Sequence, residues 1–198
     1  TKALSNVFPN IDFTNFKSLY TILHDIKADR NKYRLERFIT YAEACHVQDM
    51  HQYNAGIRAE QNKIIASMSN NKDEKMVADS AEQIMKLEKK IMQTPITEEN
   101  CKKIISTAPR EFIAAQKDLT HFSNTILAML ADSGVISQKS FFDMVRKWPN
   151  YVPMFRVFED NEKINFGDSI KALKGSERNT INPLESIIHN TFDFVRRA

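Results

Sequence analysis

No proline falls between Pro9 and Pro95, and Gly56 is the only glycine in that interval. Proline and glycine are the residues that oppose a helix most strongly, so a stretch this long without them is free to stay helical. Its apolar residues have the matching period. Phe13, Phe16, Leu19, Tyr20, Leu23 and Ile26 recur every three or four positions, which predicts an amphipathic helix capped by Asp12 or Thr14. The stripe continues through Leu35, Phe38, Ile39, Ala42, Cys45 and Met50 towards Ile57, Ile64, Ile65 and Met68. Two long helices are expected, broken near residues 29–32 or at Gly56. A polar turn at residues 69–73 follows, and Met76, Val77, Ala81, Ile84, Leu87 and Ile91 repeat the stripe.

The second half is punctuated differently. Thr94-Pro95-Ile96-Thr97 ends the preceding element, and Thr97 can cap a short helix reaching about Ser106. Pro109 opens the next one, which carries Phe112, Ile113, Leu119, Phe122, Ile126, Leu127 and Leu130 and closes at Ser133-Gly134. Ser137 caps a further helix that Pro149 stops. From Tyr151 to Phe158 apolar residues lie on both sides of the chain around Pro153, which predicts a packed extended segment. Asn182-Pro183-Leu184-Glu185 then places a cap, a first-turn proline and an acid in the order that starts a helix. The expected architecture is mainly α. Residues 1–95 form a long helical hairpin or bundle, and residues 96–198 a compact helical domain with a short β-like segment near 151–158.

Composition excludes several function classes. The formal net charge of +3 over 198 residues is not gathered into a basic lobe, so no nucleic-acid footprint is visible from charge alone. Two cysteines, Cys45 and Cys101, in helical contexts read as buried, reduced thiols rather than a disulfide framework. No apolar run is long enough to span a membrane, and no signal peptide opens the chain. Thr1 is not a natural initiator and the terminal Phe192–Ala198 stretch stops inside a helical pattern, so the chain reads as a piece of something longer. No cofactor motif is present.

Two acid-x-x-histidine pairs carry the most specific chemistry. Glu43 with His46 and Asp118 with His121 each place a carboxylate and an imidazole on one helix face, the spacing of carboxylate-bridged metal sites in bundles. Such a site needs further inward carboxylates, for which Glu36, Glu82 or Glu111 are candidates. With 5 His and 25 acidic residues, two pairs barely exceed chance. Cys45 beside His46 is no nucleophilic dyad, because adjacent helical side chains diverge by about 100°. The basic run Lys27, Arg30, Lys32, Arg34 and Arg37 alternates with Asp25, Asp29 and Glu36, as on a solvated helix face. Lys171, Lys174 and Arg178 flank a Gly175-Ser176 turn that lacks the other glycines of a phosphate loop, yet they can contact a phosphate backbone.

The motifs from residue 112 onward form a recognisable series. Ala128-Met129-Leu130-Ala131-Asp132-Ser133-Gly134-Val135-Ile136 is followed by Tyr151-Val152-Pro153-Met154-Phe155-Arg156-Val157, Leu173-Lys174-Gly175-Ser176-Glu177-Arg178 and Ile181-Asn182-Pro183-Leu184-Glu185. This block, residues 112–198, resembles one of the large polyvalent protein-associated domains of phages and conjugative elements; residues 1–95 have no matching motif. The resemblance implies a non-catalytic interaction or scaffolding module within a very large multidomain protein, in the bacterial cytoplasm or the phage virion. Its partners would be neighbouring domains of the same polypeptide, with DNA as a further candidate. No catalytic residues carry over. Tyr151, Pro153, Gly175, Ser176, Asn182 and Pro183 would determine the fold, and Arg156, Lys171, Lys174 and Arg178 would carry any DNA contact. Two alternatives stand beside this reading. One is a metal-binding helical-bundle enzyme using Glu43, His46, Asp118 and His121. The other is a virion structural or ejected protein that self-associates through residues 13–92.

Overall fold

The computed structural model describes residues 2–27, 34–68, 74–151, 188, 191–193 and 195–197. The described residues are mainly helical and contain no strand. In chain order the helices are α1 (Lys2–Val7), α2 (Leu19–Lys27), α3 (Arg34–Met68), α4 (Glu74–Glu88), α5 (Glu98–Ser106), α6 (Arg110–Asp132) and α7 (Gln138–Lys147). Of the extended segment read at 151–158 only Tyr151 is among the described residues. Pro153, Arg156, Lys171, Lys174, Gly175, Ser176, Arg178, Asn182 and Pro183 lie outside them.

The 35 residues of α3 make it about 52 Å long. It runs unbroken through Gly56, one of the two places where a break was expected; the other, residues 29–32, lies outside the described residues. A glycine costs a helix interior about 1 kcal/mol, and the flanking Asn54 and Ile57 are both buried, so tertiary packing offsets it. The first half of α3 is buried on two opposite faces. Phe38, Tyr41, Ala42 and Cys45 enter the main core with Phe112, Leu119, Phe122 and Ile126 of α6 and Ile22 and Ile26 of α2. Ala44, Val47 and Met50 enter a second cluster with Cys101 of α5 and Trp148. Residues on both sides of 94–97 therefore fill the same cores. Beyond Asn54 the helix partners α4, where Gln61 Nε2 donates to Glu88 Oε2 at 2.8 Å.

The helix expected to begin at Asp12 or Thr14 begins instead at Leu19. The side chain of Asp12 accepts from the Thr14 amide at 2.8 Å, and the Phe16 amide donates to the Phe13 carbonyl at 3.1 Å. These local bonds hold residues 12–16 as turns. They let Phe13 and Phe16 meet edge-to-face at 5.8 Å, and Phe16 stack on Phe122 at 5.6 Å. Ser18 is the working cap, its hydroxyl accepting from the Thr21 amide at 3.1 Å.

The element expected to run to residues 94–97 ends earlier, with α4 at Glu88, and the turn at 69–73 and the start at Asn182 lie outside the described residues; the boundaries between 97 and 149 hold. Thr97 caps α5 by accepting from the Asn100 amide. Pro109 precedes α6, and Ser137 caps α7 by accepting from the Ser140 amide. At the end of α6 the amide of Val135 donates to Leu130 at 2.9 Å and that of Gly134 to Ala131 at 3.2 Å, a Schellman closure. Gly134 supplies the left-handed residue it needs, at φ +77°. A Cβ there would meet nothing within 4 Å, so its cost is conformational alone. Gly134→Ala is therefore expected to lower the unfolding free energy by about 1–2 kcal/mol without altering helix content, checked by urea denaturation followed by circular dichroism.

Candidate functional site

The polar groups with most chemical potential lie on α3 where it meets two loops. His51 Nε2 bonds the Ile96 carbonyl at 2.8 Å. Asn54 bonds both backbone groups of one residue, donating to the Met92 carbonyl at 2.7 Å and accepting from the Met92 amide at 2.9 Å. These bonds dock the loop between α4 and α5. One turn earlier on α3, the buried Asp49 carboxylate receives two donors from Asn150, the backbone amide at 2.8 Å and the side-chain amide at 3.0 Å.

Asn150 is presented by a tight turn that the sequence dictates. Pro149 cannot continue α7, and the Trp148 amide closes that helix on Met144 at 2.9 Å. The Tyr151 amide then donates back to Trp148 at 3.1 Å, with Pro149 at the second position of the turn. This turn carries Trp148 and Tyr151 against His46, at ring-centroid distances of 5.5 and 6.0 Å. Tyr53 meets Trp148 from the far side at 5.6 Å, and the Lys147 ammonium lies 4.1 Å from the Tyr53 ring centre and 4.8 Å from that of Trp148.

Burial governs the protonation of this seam. The His46 pKa falls from 6.5 to about 4 because its charged form would be desolvated, and its Nδ1 is enclosed without a hydrogen-bond partner. Burial raises Glu43 above the usual carboxylate range, and raises Asp49 against the opposing pull of its Asn150 bonds. Lys147 is lowered by burial and by the nearby Lys90. The thiol of Cys45 is pushed up to about 11, and that of Cys101 is also raised by burial, so both are protonated at neutral pH and poor nucleophiles.

The residues read as metal ligands are not gathered. Glu43 and His46 share the seam, while Asp118 pairs with Lys17 at 2.7 Å and His121 is exposed on α6. Glu36, Glu82 and Glu111 are exposed, with Glu82 held by Lys86 at 2.6 Å and Glu111 facing Arg34 at 4.0 Å. Among the described residues no three His, Cys, Asp or Glu side chains converge on one point, and no helix is long and apolar enough to cross a membrane. Of the residues tied to the resemblance, Tyr151 sits in this seam and packs against both cores. Sequence reading missed Asp49, His51, Asn54 and Asn150. The available signal was the Trp148-Pro149-Asn150-Tyr151 turn, whose donors require a fixed acceptor elsewhere. Comparison with protein families, characterised proteins and solved structures gave no match.

The His46 shift has a definite sign. Between pH 6.5 and 4 the unfolded chain takes up a proton that the folded histidine resists, so the stability His46 contributes is complete above 6.5 and is lost towards pH 4. Glu43 and Asp49 run the other way, since protonation relieves the cost of burying them. Comparing the wild type with His46→Phe isolates the histidine. The difference between their unfolding free energies should change by up to about 3 kcal/mol across that interval, read from denaturant midpoints at several pH values; parallel profiles would refute the assignment.

Proposed function

We propose that the chain is a non-catalytic interaction and scaffolding module of a large phage or mobile-element protein, with neighbouring domains of the same polypeptide as its first partners. The observation that carries this reading is how the polar seam is employed. Asp49, His51 and Asn54 spend their hydrogen bonds docking two loops on α3. His46 is enclosed by aromatic rings, and the thiols are protonated. Side chains used in this way set the relative positions of helices. The sequence resemblance over residues 112–198 supplies the phage and mobile-element context, and the length of α3 suits a strut between domains.

The competing metalloenzyme reading has a direct test. The purified chain, saturated with iron, manganese or zinc and then desalted, should retain less than one ion per molecule, and Glu43→Ala and His46→Ala should not change that content. One retained equivalent that disappears with either substitution would overturn the scaffold reading.

DNA is the further partner we assign to the same module, through Arg156, Lys171, Lys174 and Arg178. Each cation that neutralises a phosphate releases a counterion, so binding should weaken linearly as the logarithm of salt rises. Replacing Lys171, Lys174 and Arg178 together by Ala should reduce that slope by about two to three. The measurement is fluorescence anisotropy on labelled duplex at several salt concentrations, and an unchanged slope would remove these residues from the contact.

A further inference from the structure

The beginning of α3 and the corner between α5 and α6 enclose a cleft of about 440 Å³, separate from the polar seam. Its volume falls in the range of small-molecule sites, roughly 300–1,000 Å³. Its floor is apolar: Tyr41 and Phe112 are buried, with ring centroids 5.9 Å apart, and Ile104 packs beside them. Its rim is polar and exposed, with Glu36 and Arg37 on α3 and Thr107 opposite.

The rim charges identify the kind of molecule that fits. Among the described residues no ion pair or hydrogen bond engages the Glu36 carboxylate or the Arg37 guanidinium. Consecutive helix positions diverge by about 100°, so the two groups reach the cleft from different directions without neutralising each other. The Thr107 hydroxyl already donates to the Lys103 carbonyl of its own helix at 2.8 Å. A ligand with a single charge would meet one favourable and one unfavourable rim group. A ligand carrying both charges at one end and an apolar body at the other satisfies the whole cleft.

We propose that this cleft binds a small zwitterion of the α-amino-acid class with an aromatic or aliphatic side chain. Its carboxylate pairs with Arg37, its ammonium with Glu36, and its side chain lies on the Tyr41–Phe112 floor. The Arg37 fork suits a carboxylate because two parallel N–H groups match its two oxygens. Apolar contact with the floor supplies the bulk of the attraction, and the two ion pairs set the preference for a molecule with both charges.

The test uses the whole chain, labelled with nitrogen-15, titrated with L-phenylalanine, phenylacetate and phenethylamine. L-Phenylalanine is expected to shift the amides of residues 36–41 and 104–112 saturably at millimolar concentrations. Each analogue lacks one charge and should bind roughly two- to fivefold more weakly, the worth of an exposed ion pair. Arg37→Ala should abolish the preference for L-phenylalanine over phenethylamine, and Glu36→Gln its preference over phenylacetate. Both positions are exposed, so the variants keep the fold and each result bears on the site. Absence of saturable shifts, equal binding of all three probes, or preferences unmoved by the substitutions would each overturn the proposal.

Discussion

Everything described here hangs on α3 remaining one helix. A continuous helix presents residues three and four apart on a single line, and this one uses opposite faces for different purposes. One apolar stripe joins α2 and α6, and the stripe on the opposite face joins α5 and the Trp148 turn. Asp49 on one side of the helix, and His51 and Asn54 on another, then meet the loops that leave those elements. The loops need this because non-helical backbone pressed against a helix has amide and carbonyl groups with no ladder to join. Asn54 answers both groups of Met92, and Asp49 answers the Asn150 amide. A kink at Gly56 would rotate Gln61 relative to the Glu88 side chain it meets on α4. The absence of proline from this stretch is therefore a condition for the packing as well as for the helix.

Hydrogen bonds to buried acceptors are directional, and leaving one unmade costs about 1–3 kcal/mol. The apolar stripes alone would tolerate α3 sliding or rotating slightly against its neighbours, since a leucine-sized contact is indifferent to small displacements. The Asp49–Asn150 and Asn54–Met92 pairs are not. They define a register between residues far apart in the chain, and the pairing of Trp148 with His46 and Tyr53 follows from that register.

What could be read in advance divides along the same line. Caps and closures were legible because they are local: Thr97, Ser137, Pro109 and the Ser133-Gly134 ending act within a few residues of where they stand. The start of α2 was misread because Phe13 and Phe16 have helical spacing, while the Asx turn at Asp12 and Thr14 competes locally and wins. Asp49 and Asn54 were illegible for the opposite reason. Their partners lie far along the sequence, and an acid or amide between apolar residues of a helix looks the same whether it meets water or a loop. His46 was singled out for its spacing from Glu43, yet no hydrogen bond joins the two; what surrounds His46 is aromatic. Most residues picked out by the family resemblance, from Pro153 to Pro183, lie beyond the described part, so the structure does not test that reading.

The protonation pattern of the seam follows burial. Where a carboxylate and a cation sit together and stay hydrated, each stabilises the other's charge, so the acid falls. The exposed acids here behave in that pairing sense, with Glu82 and Glu98 lowered by Lys86 and Lys102. In the seam every shift points towards the neutral form: Glu43 and Asp49 up, His46 and Lys147 down, with burial the largest cause each time. Groups pushed to neutrality by the same desolvation do not reinforce one another's charges. Strongly perturbed groups in one place often mark a catalytic site, but structural networks perturb them too, and burial shifts groups towards neutrality in both. A common drift to neutrality is what packing produces, and the hydrogen bonds of Asp49 and Asn54 support reading the seam as the joint that holds the bundle in register.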